Sequence, residues 1–122
     1  MRRLFFESGE RIFQEGEPSN SAYVIVSGEV EIIRARKDHE PTTIAVLGKG
    51  EYVGEMGAID DRPRSATAVA KGPVVCMSVT QEEFMDMLVN RPEESIELLK
   101  ILFDRLRHAN EMLALAEQDE AE

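Results

Sequence analysis

Cysteine and histidine are almost missing from this sequence. One cysteine, Cys76, and two histidines, His39 and His108, occur in 122 residues. A lone cysteine has no disulfide partner within the chain, and no cysteine cluster exists to hold zinc or an iron–sulfur centre. The clustered histidines of a mononuclear metal enzyme are absent, and so are the ligands a haem sensor needs. No Ser-His-Asp or Cys-His arrangement is legible either. The sequence therefore predicts no enzyme, no catalytic cofactor and no metal. Basic charge is also scarce: 14 Lys and Arg stand against 24 Asp and Glu, for a net charge of -10. A chain so charged repels a phosphate backbone, so no nucleic-acid partner is expected, and it has no polybasic patch for a lipid surface. No apolar run approaches the ~20 residues of a membrane-spanning helix, so no membrane insertion is expected. The opening "MRRLFFESGE" lacks the apolar stretch of a signal peptide. Cys76 lies in "VVCMSV" and reads as a small buried core residue in a protein of the reducing cytoplasm.

What is present is one domain's worth of chain, enough for one core. No internal repeat or low-complexity tract interrupts it. Residues 4–79 carry short β-type runs broken by glycine. "YVIVSGEVEII" predicts two strands split by a turn at Ser27-Gly28-Glu29, and "SATAVAKGPVVCMSV" predicts two more around Lys71-Gly72-Pro73. "TTIAVLGKGEYVG" gives another strand and a glycine-bounded turn, and "RARKDHEPT" reads as a charged hairpin tip. Regular short strands of this kind predict a β-sandwich or barrel-like roll. Residues 80–117 are helical. Thr80 and Glu83 have the spacing of a capping box, and Pro92 ends the first helix at the residues before it. A long second helix follows. On it Leu99, Leu102, Leu106, Ala109, Leu113 and Ala116 form a seam of three- and four-residue steps, widened by Ile96, Leu98, Ile101 and Phe103. Such a face packs on the roll or also pairs with another chain. The acidic tail, 118–122, is expected to fray.

Between two strands of the roll lies "GEMGAIDDRPRSATA", Gly54 to Ala68. Gly54 and Gly57 let backbone amides approach a ligand, and Arg64 offers a planar fork for two phosphate oxygens. Ser65 adds a hydroxyl and an amide. Glu55 suits an anion site only if the ligand also brings a hydroxyl for the carboxylate to accept. A phosphate fused to a sugar that keeps one free hydroxyl meets both demands. The plainer alternative is a surface salt bridge between Glu55 and Arg64 across a glycine-rich turn, and spacing alone leaves both open.

This stretch resembles the phosphate-binding cassette of the cyclic nucleotide-binding domain family. "GERIFQEGEPSNSAYVIVSGEVEI" resembles the family's first strands, Thr80 to Pro92 its B helix and the last helix its C helix. The resemblance covers nearly the whole chain. It implies a mainly β, α+β fold: an antiparallel, jelly-roll-like β-roll with a short cassette helix, a B helix and a long C helix. It implies that Glu55 holds the ribose 2′-hydroxyl and Arg64 the cyclic phosphate. Gly54, Met56, Gly57, Ser65 and Ala66 belong to the same cradle. Asn110, beside Ala109, matches the family's base-contacting pair. The implied ligand is cAMP, with cGMP as a second, because Ser65 stands where a threonine would favour cGMP. Departures are Val53, where an aromatic is usual although Tyr52 adjoins, and Ala58, where a leucine helps pass binding to the helices. Neither a helix-turn-helix, a kinase pseudosubstrate nor a channel segment is legible, so the chain reads as a sensor whose effector lies outside it. Its expected partners are that effector or a second copy paired through the last helix. The alternative is a dimerising interaction module that has the same fold and uses no nucleotide.

Overall fold

The computed structural model describes residues 1–121, with side chains placed through Leu115. The seam residue Ala116 and the tail at 118–122 thus lie outside the described side chains. The chain forms two compact units, residues 1–85 and 86–122.

The first unit is an antiparallel sheet rolled on itself. Its strands are β1 (Arg2–Phe6), β2 (Arg11–Phe13), β3 (Ser21–Arg36), β4 (His39–Leu47), β5 (Tyr52–Val53) and β6 (Thr67–Thr80), with the short helix α1 (Glu55–Asp60) between the last two. Pairing runs β1-β6-β3-β4, with β2 also on β6 and β5 on β3. Ile25, Val30, Val53, Val74 and Cys76 fill the core, all nearly or fully buried. Burial raises the Cys76 thiol to about 11, so it stays protonated at neutral pH, as a core residue should.

Two expected turns are absent. Ser27-Gly28-Glu29 and Lys71-Gly72-Pro73 do not end strands; they lie within β3 and β6, which are continuous. The two sites face each other. The register shifts between Ile25 and Glu29, Gly28 has φ 91°, and a Cβ on Gly28 would overlap the carbonyl oxygen of Pro73. Proline has no N–H for a ladder, so it is tolerated inside a sheet where the pairing is already interrupted. The paired irregularities bend both strands together, which lets one long ribbon serve as two short strands. Across the bend the buried parity of β3 changes, from Ile25 to Val30. The charged hairpin tip is likewise narrower than expected. Arg36 pairs with His39, which leaves Lys37 and Asp38 as the turn, with Asp38 in the left-handed region at φ 62°.

The helix α2 (Gln81–Asn90) begins as the sequence predicts. The Glu83 amide donates to Thr80 Oγ1 at 3.1 Å, and the Thr80 amide donates to Glu83 Oε1 at 3.3 Å. The α-ammonium of Met1 also donates to Glu83, and these bonds hold the Glu83 carboxyl below its ordinary value. Phe84 is fully buried, edge-on to Tyr52 with ring centroids 5.9 Å apart.

In the second unit the chain turns at Arg91. The Ser95 hydroxyl donates to the Leu88 carbonyl at 2.7 Å and so closes the corner. The helix α3 (Pro92–Ala121) follows. Leu98 is buried, while Leu99, Phe103, Leu106 and Leu113 are each at least half exposed. Most of the seam is therefore an exposed apolar stripe. Among the described residues no helix is long and apolar enough to cross a membrane.

Candidate functional site

The site is built around Arg64, one of three buried polar residues among those described, with Ser19 and Glu55. The backbone of Arg64 is clamped to the loop after β2: the Gly16 amide donates to its carbonyl at 2.8 Å, and its own amide donates to the Glu17 carbonyl at 2.9 Å. This places the guanidinium inside the roll. There Nη1 donates to the Gly54 carbonyl at 3.0 Å and Nη2 to the Ser21 carbonyl at 2.8 Å. The Cζ atom lies 4.2 Å above the centroid of the Phe13 ring and 5.8 Å from that of Tyr23. The Nε atom is buried and has no hydrogen-bond partner. Desolvation lowers the Arg64 pKa; Tyr23, Glu17 and Glu55 act in the opposite sense. An arginine keeps its proton in a protein, so the site carries a fixed positive charge in a desolvated place.

The cassette glycines are set by this arrangement. Gly54, the N-cap of α1, has φ 75°, and a Cβ there would overlap Nη1 of Arg64. Only glycine fits both the backbone and the space. A Cβ on Gly57 would overlap the Ser19 side chain, whose buried hydroxyl also lacks a partner. Glu55 opens α1 and is 3 % exposed. A surface salt bridge does not describe two side chains as buried as Glu55 and Arg64. The end of α1 is fixed by Asp61, at φ 58°, whose amide donates to the Gly57 carbonyl at 3.1 Å. Gln81 Nε2 donates to Asp61 Oδ1 at 2.6 Å, which ties the acidic turn to the start of α2.

Of the residues singled out from sequence, Gly54, Glu55, Met56, Gly57, Arg64, Ser65 and Ala66 come together in the first unit. Met56 and Ser65 are exposed and Ala66 is buried. Asn110 is exposed on α3, in the second unit. Thr67, two residues after Ser65, has its hydroxyl occupied by the Glu15 amide, which donates to it at 3.0 Å. Sequence reasoning missed Phe13, Tyr23 and the Ser21 carbonyl. The Ile12-Phe13 pair was the available signal: two adjacent large apolar residues cannot both face inward from a regular strand.

The site geometry agrees with what the chain resembles. The cyclic nucleotide-binding domain family matches residues 3–91. The chain belongs to that family. The CRP-like cAMP-activated global transcriptional regulator of Mycobacterium tuberculosis is 34% identical over 109 residues, covering 89% of this chain and 49% of that protein. The catabolite activator protein structure from Thermus thermophilus superposes with a TM-score of 0.86 at 31% identity, over 95% of this chain and 55% of that one. The cAMP-bound form of the EAL enzyme Bd1971 gives a TM-score of 0.69 at 32% identity, over 93% and 30%. The domain thus spans about half the length of the curated relatives it matches. It is a cyclic nucleotide-binding domain with the antiparallel sheet and C-terminal helices of its relatives. The mycobacterial relative's name joins cAMP to transcription, in contrast to the absence of a nucleic-acid partner expected from charge alone.

Proposed function

We propose that this domain is a cAMP sensor that accepts cGMP more weakly, and that it passes binding on by rearranging its C-terminal helices. One observation carries the reading: a buried, permanently charged guanidinium with a free Nε sits in the same cradle as a buried carboxylate. A cyclic nucleotide offers an anion to the first and a 2′-hydroxyl to the second. The cAMP-bound Bd1971 neighbour, and its cGMP-bound form at 31% identity, support both ligands. The domain is a binding module of the cytoplasm and performs no catalysis itself. Its charge of -10 disfavours contact between this domain and a phosphate backbone.

Glu55 gives the test. Glu55→Ala weakens cAMP about 10- to 100-fold, the loss of a hydrogen bond to a charged group, yet leaves 2′-deoxy-cAMP nearly unchanged. Calorimetric titration of both ligands reads this directly. Equal losses would place Glu55 in support of Arg64 instead.

The exposed stripe of α3 favours a homodimer, with Asn110 at the rim of the seam and able to offer a donor and an acceptor to adenine. The same stripe supports the second reading, an assembly module that needs no nucleotide. Removing residues after Leu106 separates the two. The sensor reading expects weaker cAMP binding together with loss of the dimer in sedimentation. An assembly module loses only the dimer.

A further inference from the structure

Phe13 belongs to no part of the cassette, yet its ring is the floor of the arginine site. Resting on the reading of Arg64 as the phosphate ligand, we propose that Phe13 is a positioning residue that sets nucleotide affinity by fixing the Arg64 guanidinium from below. The first support is how Phe13 comes to be there. In a regular strand alternate side chains face opposite ways, so a buried Ile12 would send Phe13 outward. Both are buried, at 9 % and 8 % exposure, and the β2–β6 register shifts between Arg11 and Phe13. A bulge of this kind re-aims a side chain. Here it turns the ring back under Arg64, 4.2 Å from Cζ to centroid.

The second support is electrostatic. Burial disfavours the guanidinium, and its hydrogen bonds to Gly54 and Ser21 both go to neutral carbonyls. The negative face of an aromatic ring offsets part of that cost, and a desolvated cation–π contact is stronger than an exposed one. The third is steric. A Cβ on Gly54 would lie 3.0 Å from Phe13 Cε2, so ring, glycine and guanidinium are closely packed. Tyr23 stands beside both, its ring centroid 6.0 Å from that of Phe13 and 5.8 Å from the Arg64 Cζ. Held by two carbonyls and a ring, Arg64 meets a phosphate without having to be ordered first.

A fluorinated-phenylalanine series at position 13 tests this, because ring fluorines drain the negative face with little change in shape. The dissociation constant for cAMP is expected to rise with each added fluorine, and about tenfold in Phe13→Leu, while Phe13→Tyr stays close to the unsubstituted chain. The same series is run through urea unfolding without ligand, in the Arg64 and Arg64→Ala backgrounds. Fluorination should shift the unfolding equilibrium only where Arg64 is present. Affinity that ignores fluorine content would overturn the proposal, and so would equal unfolding shifts in both backgrounds. Failure of the unsubstituted chain to bind cAMP or cGMP overturns the nucleotide reading instead, and the ligand-free series tells the two failures apart.

Discussion

Arg64→Ala is expected to lose roughly a hundredfold in affinity for cAMP. A charge-assisted, two-pronged bond to phosphate is worth ~2–4 kcal/mol, and each 1.4 kcal/mol is a factor of about ten. The substitution also costs stability. Sequence alone places Arg64 in a loop and predicts an undisturbed fold. The structure instead buries its side chain, with bonds to the carbonyls of Gly54 and Ser21 and a ring beneath it. Leaving buried carbonyls without a donor costs about 1–3 kcal/mol, so the melting temperature falls as well. Arg64→Lys keeps the charge but cannot form the fork, and it should recover little of the affinity. Titration and thermal melting of the same samples separate the two losses. Undiminished affinity in Arg64→Ala would rule out the assigned site.

Gly28→Ala is expected to be the most destabilising single-methyl change in the sheet. The backbone there has φ 91°, and the added Cβ would overlap the Pro73 carbonyl and lie 3.1 Å from the Val74 Cα. Left-handed backbone costs ~1–2 kcal/mol and overpacking ~1–3, about 2–5 together. For a domain of this size the melting temperature should fall by roughly 10 °C or more. Gly72→Ala is the control. It shares the corner and has φ 79°, but no atom lies within 4 Å of its added Cβ. It should show the backbone cost alone. Similar melting temperatures for the two variants would mean that the overlap at Pro73 is relieved without cost.

These two positions also mark where the sequence was readable. Thr80 and Glu83 announced their helix start because a capping box is local: four residues contain the whole interaction. The cassette was readable through its resemblance, since glycines, carboxylate and arginine lie within eleven residues of one another, Gly54 to Arg64. Gly28 was misread. A glycine between two apolar runs looks the same whether the chain turns back or bends and continues, and the deciding partner, Pro73, is far away in sequence. Phe13 was missed for the same reason. Its role depends on a register shift against β6: the Ile12-Phe13 pair hints at an irregular strand, but nothing within β2 says which of the two side chains is re-aimed or toward what. The seam on α3 was legible as a periodicity, but periodicity could not say that most of it would be left exposed.

The strand order has a consequence for how the protein comes into being. The last strand in sequence, β6, is the one on which β1, β2 and β3 all pair. A nascent chain that has completed everything through α1 therefore holds β1 and β2 with nothing to pair to. Contacts of such long sequence separation must overcome loop closure before they stabilise anything, and domains dominated by them fold in milliseconds to seconds rather than microseconds. Arg64 comes three residues before β6 begins, and its Nη2 reaches a carbonyl 43 residues upstream. A chain arrested before β6 emerges from the ribosome can pair β3 only with β4 and β5, and it leaves β2, which carries the ring under Arg64, unpaired.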